Sequence, residues 1–117
     1  MNIQPLKKEL YNRAKALGIT NIILRFSGGN DEGFLDVALR PWDQNKSNEL
    51  DKLTTEVESW AWDNYIYSGA GDGNEFGDDI YYDLEKRTAT CQEWQNTRSE
   101  GYAETVPLRF EKDEEFK

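Results

Sequence analysis

The stretch that most constrains this chain runs from Ser47 to Asp83, where a helical pattern gives way to glycine and then to strand composition. Leu50, Leu53, Val57, Trp60, Ala61 and Tyr65 fall at helical spacing and make one apolar stripe. Ser47 or Asn48 is the expected N-cap, with Asp51 three residues after Asn48, and Gly69 is the expected stop. The run from Gly69 to Asp79 holds too much glycine and like charge for a helix or strand interior, and is expected to be a loop. Ile80-Tyr81-Tyr82-Asp83-Leu84 then returns to strand composition. Trp60 sits on the stripe and Trp62 lies about 200° around the helix from it, so one tryptophan is expected off the core. Trp62 is then either a contact residue or packing for the Pro41–Lys46 loop.

Before this stretch, Pro5 to Leu17 reads as a helix with Leu6, Leu10, Ala14 and Leu17 on its apolar stripe and Gly18 at C′. Ile19 to Phe26 reads as a strand, and Ser27 to Gly33 as a turn with three glycines. Phe34 to Arg40 is the second strand of an antiparallel hairpin, with Leu35, Val37 and Leu39 on one face. After the glycine loop, Ile80–Leu84 and Thr88–Trp94 make a second hairpin around Glu85-Lys86-Arg87. Gln95–Gly101 reads as a polar turn, and Tyr102–Phe110 as an edge strand because Pro107 cannot donate to a ladder. Residues 111–117 are charged and expected to fray. The order αββαβββ in 117 residues predicts a single α+β domain: an antiparallel sheet of four to five strands with two helices on one face.

Charge is the second constraint. The net charge is −9, spread unevenly: residues 1–25 hold Lys7, Lys8, Arg13, Lys15 and Arg25 against Glu9, whereas residues 26–117 hold 9 basic and 22 acidic side chains. Such a body repels nucleic acid and attracts basic surfaces, although acidity also serves solubility alone. No run of about 18 apolar residues exists, so no membrane span is expected. MNIQPLKKEL lacks the apolar core of a signal peptide, and the single Cys91 permits no intrachain disulfide. The expected location is the cytoplasm.

The catalytic inventory is thin. No His is present, which removes histidine triads and imidazole metal sites, and one Cys cannot build a thiolate zinc site. Gly69-Ala70-Gly71-Asp72-Gly73 lacks the lysine and preceding strand of a phosphate-binding loop. Cys91 reads as a small strand residue without basic neighbours in sequence. No enzyme activity and no cofactor are expected. Asp72, Asn74, Asp78 and Asp79 offer hard oxygen ligands, so a calcium site is an alternative; the EF-hand pattern is not met, because Phe76-Gly77 interrupts it. The other reading is a polar turn that needs glycine for positive φ.

Two segments carry a resemblance: Phe26-Ser27-Gly28-Gly29-Asn30-Asp31-Glu32-Gly33, and Asp72-Gly73-Asn74-Glu75-Phe76-Gly77 leading into Ile80 to Thr88. Together they resemble a family of small acidic proteins of unknown function from bacterial plasmids, mobile elements and phages. That family carries a G-x-G-D-x-G turn and a D-G-x-x-G-x-[FI]-x-x-D segment. The similarity spans about residues 17–105. It departs at Gly28-Gly29-Asn30-Asp31 and at the Gly69-Ala70-Gly71 run, where the family tends to have Trp or Asn. The resemblance implies a mobile-element context and no activity.

The expected function is that of a non-enzymatic acidic binding protein that inhibits a nucleic-acid-handling partner by charge mimicry, in the manner of an anti-CRISPR or anti-restriction protein. Its partner would be a basic protein surface on a nuclease or on a CRISPR or restriction effector subunit, with no direct nucleic-acid binding. The expected binding residues are Asp31, Glu32, Asp72, Glu75, Asp78 and Asp79, with Trp62 as anchor. An immunity protein or antitoxin for a basic nuclease toxin uses the same physics and is the alternative.

Overall fold

A computed structural model describes residues 3–29, 32–65, 76–95 and 100–111, with side chains described over 3–28, 33–65, 77–94 and 103–111. The elements are α1 (Lys8–Ala16), β1 (Asn21–Gly29), β2 (Glu32–Arg40), α2 (Ser47–Asn64), β3 (Phe76–Asp83), β4 (Thr88–Gln95) and β5 (Glu100–Pro107). The five strands form one antiparallel sheet in the order β2-β1-β3-β4-β5. The expected α+β architecture and its element order are therefore present.

Strand alternation sends Ile22, Leu24 and Phe26 of β1, Leu39 of β2, Ile80 and Tyr82 of β3, and Ala89 and Cys91 of β4 to one face. There they pack with Leu10 and Ala14 of α1 and with Leu50, Leu53, Val57, Trp60 and Ala61 of α2 in one core. Each fully buried large apolar side chain contributes roughly 1.5–3 kcal/mol, so this layer supplies most of the driving force. The opposite face carries Arg25, Asp36, Asp79, Tyr81 and Thr90, and neither helix covers it.

Helix α1 ends as its sequence predicts. Gly18 adopts φ 82°, its N–H donates to the Lys15 carbonyl at 3.0 Å, and the Ile19 N–H reaches the Ala14 carbonyl at 2.9 Å. Those two bonds are a Schellman motif. The helix start differs from expectation. Pro5 and Leu6 precede it in an extended segment, where Leu6 forms a parallel bridge with Phe110. The Leu6 N–H donates to the Arg109 carbonyl, and the Glu111 N–H donates to the Leu6 carbonyl. The Leu6 side chain is fully buried by this ribbon, which outweighs helix extension.

Helix α2 also begins otherwise than expected. Ser47 is its first residue, and neither it nor Asn48 caps it; a 3₁₀ turn over Gln44–Lys46 leads in, with the Asp43 carboxylate accepting from the Asn45 N–H at 2.9 Å. The helix stops at Asn64 because Tyr65 turns extended and buries its ring in the core, so Gly69 is not the terminator and lies outside the described residues.

Two strands reach into stretches expected to be loop. β1 runs through Ser27, Gly28 and Gly29, with Gly29 paired to Glu32, so only Asn30 and Asp31 join it to β2. β3 starts at Phe76, which places Gly77, Asp78 and Asp79 in the sheet. Gly77 fits there for a packing reason: a Cβ would stand 2.4 Å from the Phe26 carbonyl oxygen and 2.4 Å from the Trp94 ring. Trp94 is the β4 partner of Gly77, and its indole lies over the bare backbone.

Candidate acidic docking face

Helix α2 separates its residues cleanly. Leu50, Leu53, Val57, Trp60 and Ala61 are buried, while Glu49, Asp51, Lys52, Glu56, Glu58, Trp62 and Asp63 are exposed. The exposed side thus carries five carboxylates to one ammonium over 15 residues, or about 21 Å of helix at 1.5 Å per residue. Helix periodicity sets Glu49, Glu56 and Asp63 on one flank and Asp51 and Glu58 about 150° away on the other; Glu56 accepts a charge-assisted bond from Arg13, which lowers the Glu56 pKa.

Basic residues of the N-terminal segment have local partners. Lys8 stands 4.2 Å from the Phe110 ring centroid and Lys15 stands 6.0 Å from that of Tyr11. Lys7 lies 4.0 Å from Glu9.

Trp60 and Trp62 divide as the spacing predicts. Trp60 is in the core, edge-on to Tyr65 and Tyr82, and its indole N–H donates to Glu111 at 3.0 Å. Trp62 is 41% exposed and packs edge-on against Phe26 at 5.8 Å. Its described ring partner is therefore a sheet residue, and the exposed part of the ring lies one turn beyond Glu58, on the Asp51–Glu58 flank of the helix.

Of the carboxylates singled out in the sequence, Asp31, Asp72 and Glu75 lie outside the described residues, as does Asn74. Glu32 opens β2 opposite Gly29. Asp78 and Asp79 are corrected from loop to strand. They are successive residues of β3 and point to opposite faces. Asp79 is half-buried on the open face, with the Tyr81 hydroxyl 3.4 Å away. Asp78 is only 9% exposed, on the helix side, opposite Glu93 and 3.8 Å from the Cys91 sulfur. The two therefore cannot chelate one ion together, and no cluster of metal-binding side chains occurs among the described residues.

Asp78 marks an acidic corner of the core. Burial pushes its carboxyl above the usual range, and the Glu93 charge adds to that shift. Burial, with the Asp78 charge, pushes the Cys91 thiol up to about 11. A thiol in that state is a poor nucleophile at neutral pH. The carboxylates of α2 are readable in the sequence as the off-stripe residues of the helix.

Comparison supplies no further identity. No protein-family model matches this chain, and neither curated proteins nor solved structures match it. No described helix is long and apolar enough to cross a membrane.

Proposed function

We propose that this protein is a non-enzymatic acidic binding protein that occupies a basic, phosphate-binding surface of a nucleic-acid-handling partner. The supporting observation is the exposed surface of α2, where Glu49 and Asp63 on one flank and Asp51 and Glu58 on the other stand free of the core, with Trp62 one turn beyond Glu58. Carboxylates held on both flanks of a rigid helix need no ordering on binding, so a cationic cleft that receives the helix meets charge on either side of it. An exposed tryptophan supplies the apolar anchor that such an interface needs. The helix leads directly into the 66–75 segment, whose Asp72 and Glu75 extend the same charge in sequence. Cytoplasmic action within a mobile genetic element, against a CRISPR or restriction effector, is the concrete form of the proposal.

The test is capture followed by inhibition. The immobilised chain is presented with lysate from a bacterial host at low salt, and the basic nucleic-acid-binding proteins eluted by rising salt are purified. Each is then assayed for DNA binding or cleavage with wild type and with a variant carrying Glu49→Lys, Asp51→Lys, Glu58→Lys and Asp63→Lys. Wild type should inhibit, and the variant should lose at least tenfold in potency while remaining folded by circular dichroism. Equal potency of the two proteins, or no inhibition by either, overturns the reading.

A further inference from the structure

The two edges of the sheet differ. β5 is blunted: it ends at Pro107, and its register with β4 shifts between Gln92 and Trp94. β2 is not. It runs nine residues in unbroken register with β1, holds no proline or lysine, and has no strand on its other side among the described residues. A long flat edge of this kind is a template for another strand.

Exposed apolar side chains flank the same edge. The large exposed hydrophobic side chains of the described residues are Phe34 (57%), Trp42 (41%) and Trp62 (41%). Phe34 is in β2, Trp42 lies two residues beyond its end, and Trp62 stands over Phe26 of the adjacent strand. Between β2 and α2 runs an open groove of about 820 Å³, with Val37 and Leu39 in its lining and Trp42 and Thr54 beside them. Leu35 and Val37 are packed against the core yet only partly buried, so the core ends unfinished along this strand.

The sequence of β2 selects the occupant, because it complements itself. Antiparallel pairing of β2 with a second β2 about a two-fold axis at Val37 sets Leu35 opposite Leu39 of the second copy, and Val37 opposite Val37, all on the helix side. On the open side Asp36 meets Ala38, and Phe34 meets Arg40, a cation over an aromatic ring. Arg40 also lies diagonal to Asp36 of the second copy, within reach of a long side chain. Seven consecutive pairs form with no like charges directly opposed. Moving the axis to Asp36 would set that carboxylate against its own copy, and an odd shift would turn one copy's helices to the other face.

We infer that the chain forms a homodimer through β2, giving one continuous ten-stranded sheet with the axis at Val37 and all four helices on the same face.

The experiment is sedimentation equilibrium of the full chain at 0.15 M salt, where charges beyond about 8 Å are screened, from micromolar to millimolar concentration. Wild type should approach twice the 13.6 kDa chain mass. Two substitutions at one site separate interface from fold. Ala38→Glu places a carboxylate opposite Asp36 of the second copy and should give a folded monomer, with dissociation at least tenfold easier. Ala38→Lys places an opposite charge there and should leave the dimer intact or tighter. Val37→Cys should cross-link to itself under mild oxidation, since paired residues on adjacent strands meet the Cα separation of a disulfide, whereas Leu35→Cys should not. A monomeric wild type overturns the inference and leaves the edge to a strand from another protein. A dimer indifferent to both Ala38 substitutions overturns it in favour of another surface, and loss with both Ala38→Glu and Ala38→Lys overturns the Val37 axis.

Discussion

Removing the Tyr82 hydroxyl should destabilise the fold by more than a typical surface hydrogen bond is worth. Three groups form a closed ring in the core: the Tyr82 hydroxyl donates to the Gln4 carbonyl at 2.8 Å, the Gln4 N–H donates to the Tyr65 hydroxyl at 2.8 Å, and the two hydroxyls are 2.6 Å apart. Each hydroxyl has one proton, so the ring closes only if Tyr65 donates to Tyr82. Tyr82→Phe keeps the ring that packs on Trp60 but strands the Tyr65 O–H and takes a donor from Gln4. A stranded buried donor costs about 1–3 kcal/mol and a lost neutral bond about 1, giving ~3 kcal/mol in all. At about 2.1 cal/mol/K per residue, a chain of 117 residues then loses roughly 12 °C in Tm. Tyr65→Phe strands the Gln4 N–H alone and should cost less. The double variant should cost about 1 kcal/mol less than the two singles added, because they share one bond. Urea titrations followed by tryptophan fluorescence measure all three. A loss below 0.5 kcal/mol for Tyr82→Phe, or strict additivity, would refute the closed ring. Burial raises both hydroxyl pKa values above the ordinary 10.0. The folded state therefore holds these protons more tightly, and stability present below pH 10 is lost as pH rises beyond it.

Gly77→Ala should cost about 1–3 kcal/mol, since its Cβ meets both the Phe26 carbonyl and the Trp94 ring; a variant that melts with wild type and leaves Trp94 fluorescence unmoved removes the seating argument. The Cys91 thiol should resist iodoacetamide at pH 8 in the native state and react at the free-thiol rate once unfolded, because its pKa stands near 11 and it is buried. Rapid native alkylation would mean an open acidic corner. Asp78, whose pKa is raised, binds its proton more tightly folded than unfolded. Its contribution therefore grows as pH falls towards the ordinary 3.8 and is lost as pH rises, so wild type should gain on Asp78→Asn between pH 6 and pH 3. A pH-independent difference in unfolding free energy would contradict that sign.

What the sequence made legible was whatever a single local rule decides. The apolar stripe from Leu50 to Ala61 separates a buried from an exposed side of α2 because 3.6-residue periodicity does so without help from the rest of the chain. Gly18 stops α1 for an equally local reason, a positive φ closed by two bonds to the same helix. The failures share the opposite character. Gly77 looked like turn chemistry, yet it is a strand residue whose missing side chain is occupied by Trp94, seventeen residues on. Asp78 looked like a loop ligand, yet the pairing of β3 with β1 and β4 carries it into the core edge. Pro5 looked like a helix start, yet the bridge between Leu6 and Phe110 holds it extended from the far end of the chain. In each case a long-range pairing overrode a local preference worth only about 1 kcal/mol. The same logic separates the two surfaces of the molecule. The carboxylates of α2 are set by helix periodicity, so their presentation follows from sequence alone; the unblunted edge of β2 exists only because the sheet order leaves that strand outermost. A charge surface can therefore be read before the fold is known, whereas an edge that accepts a second strand can be found only after it.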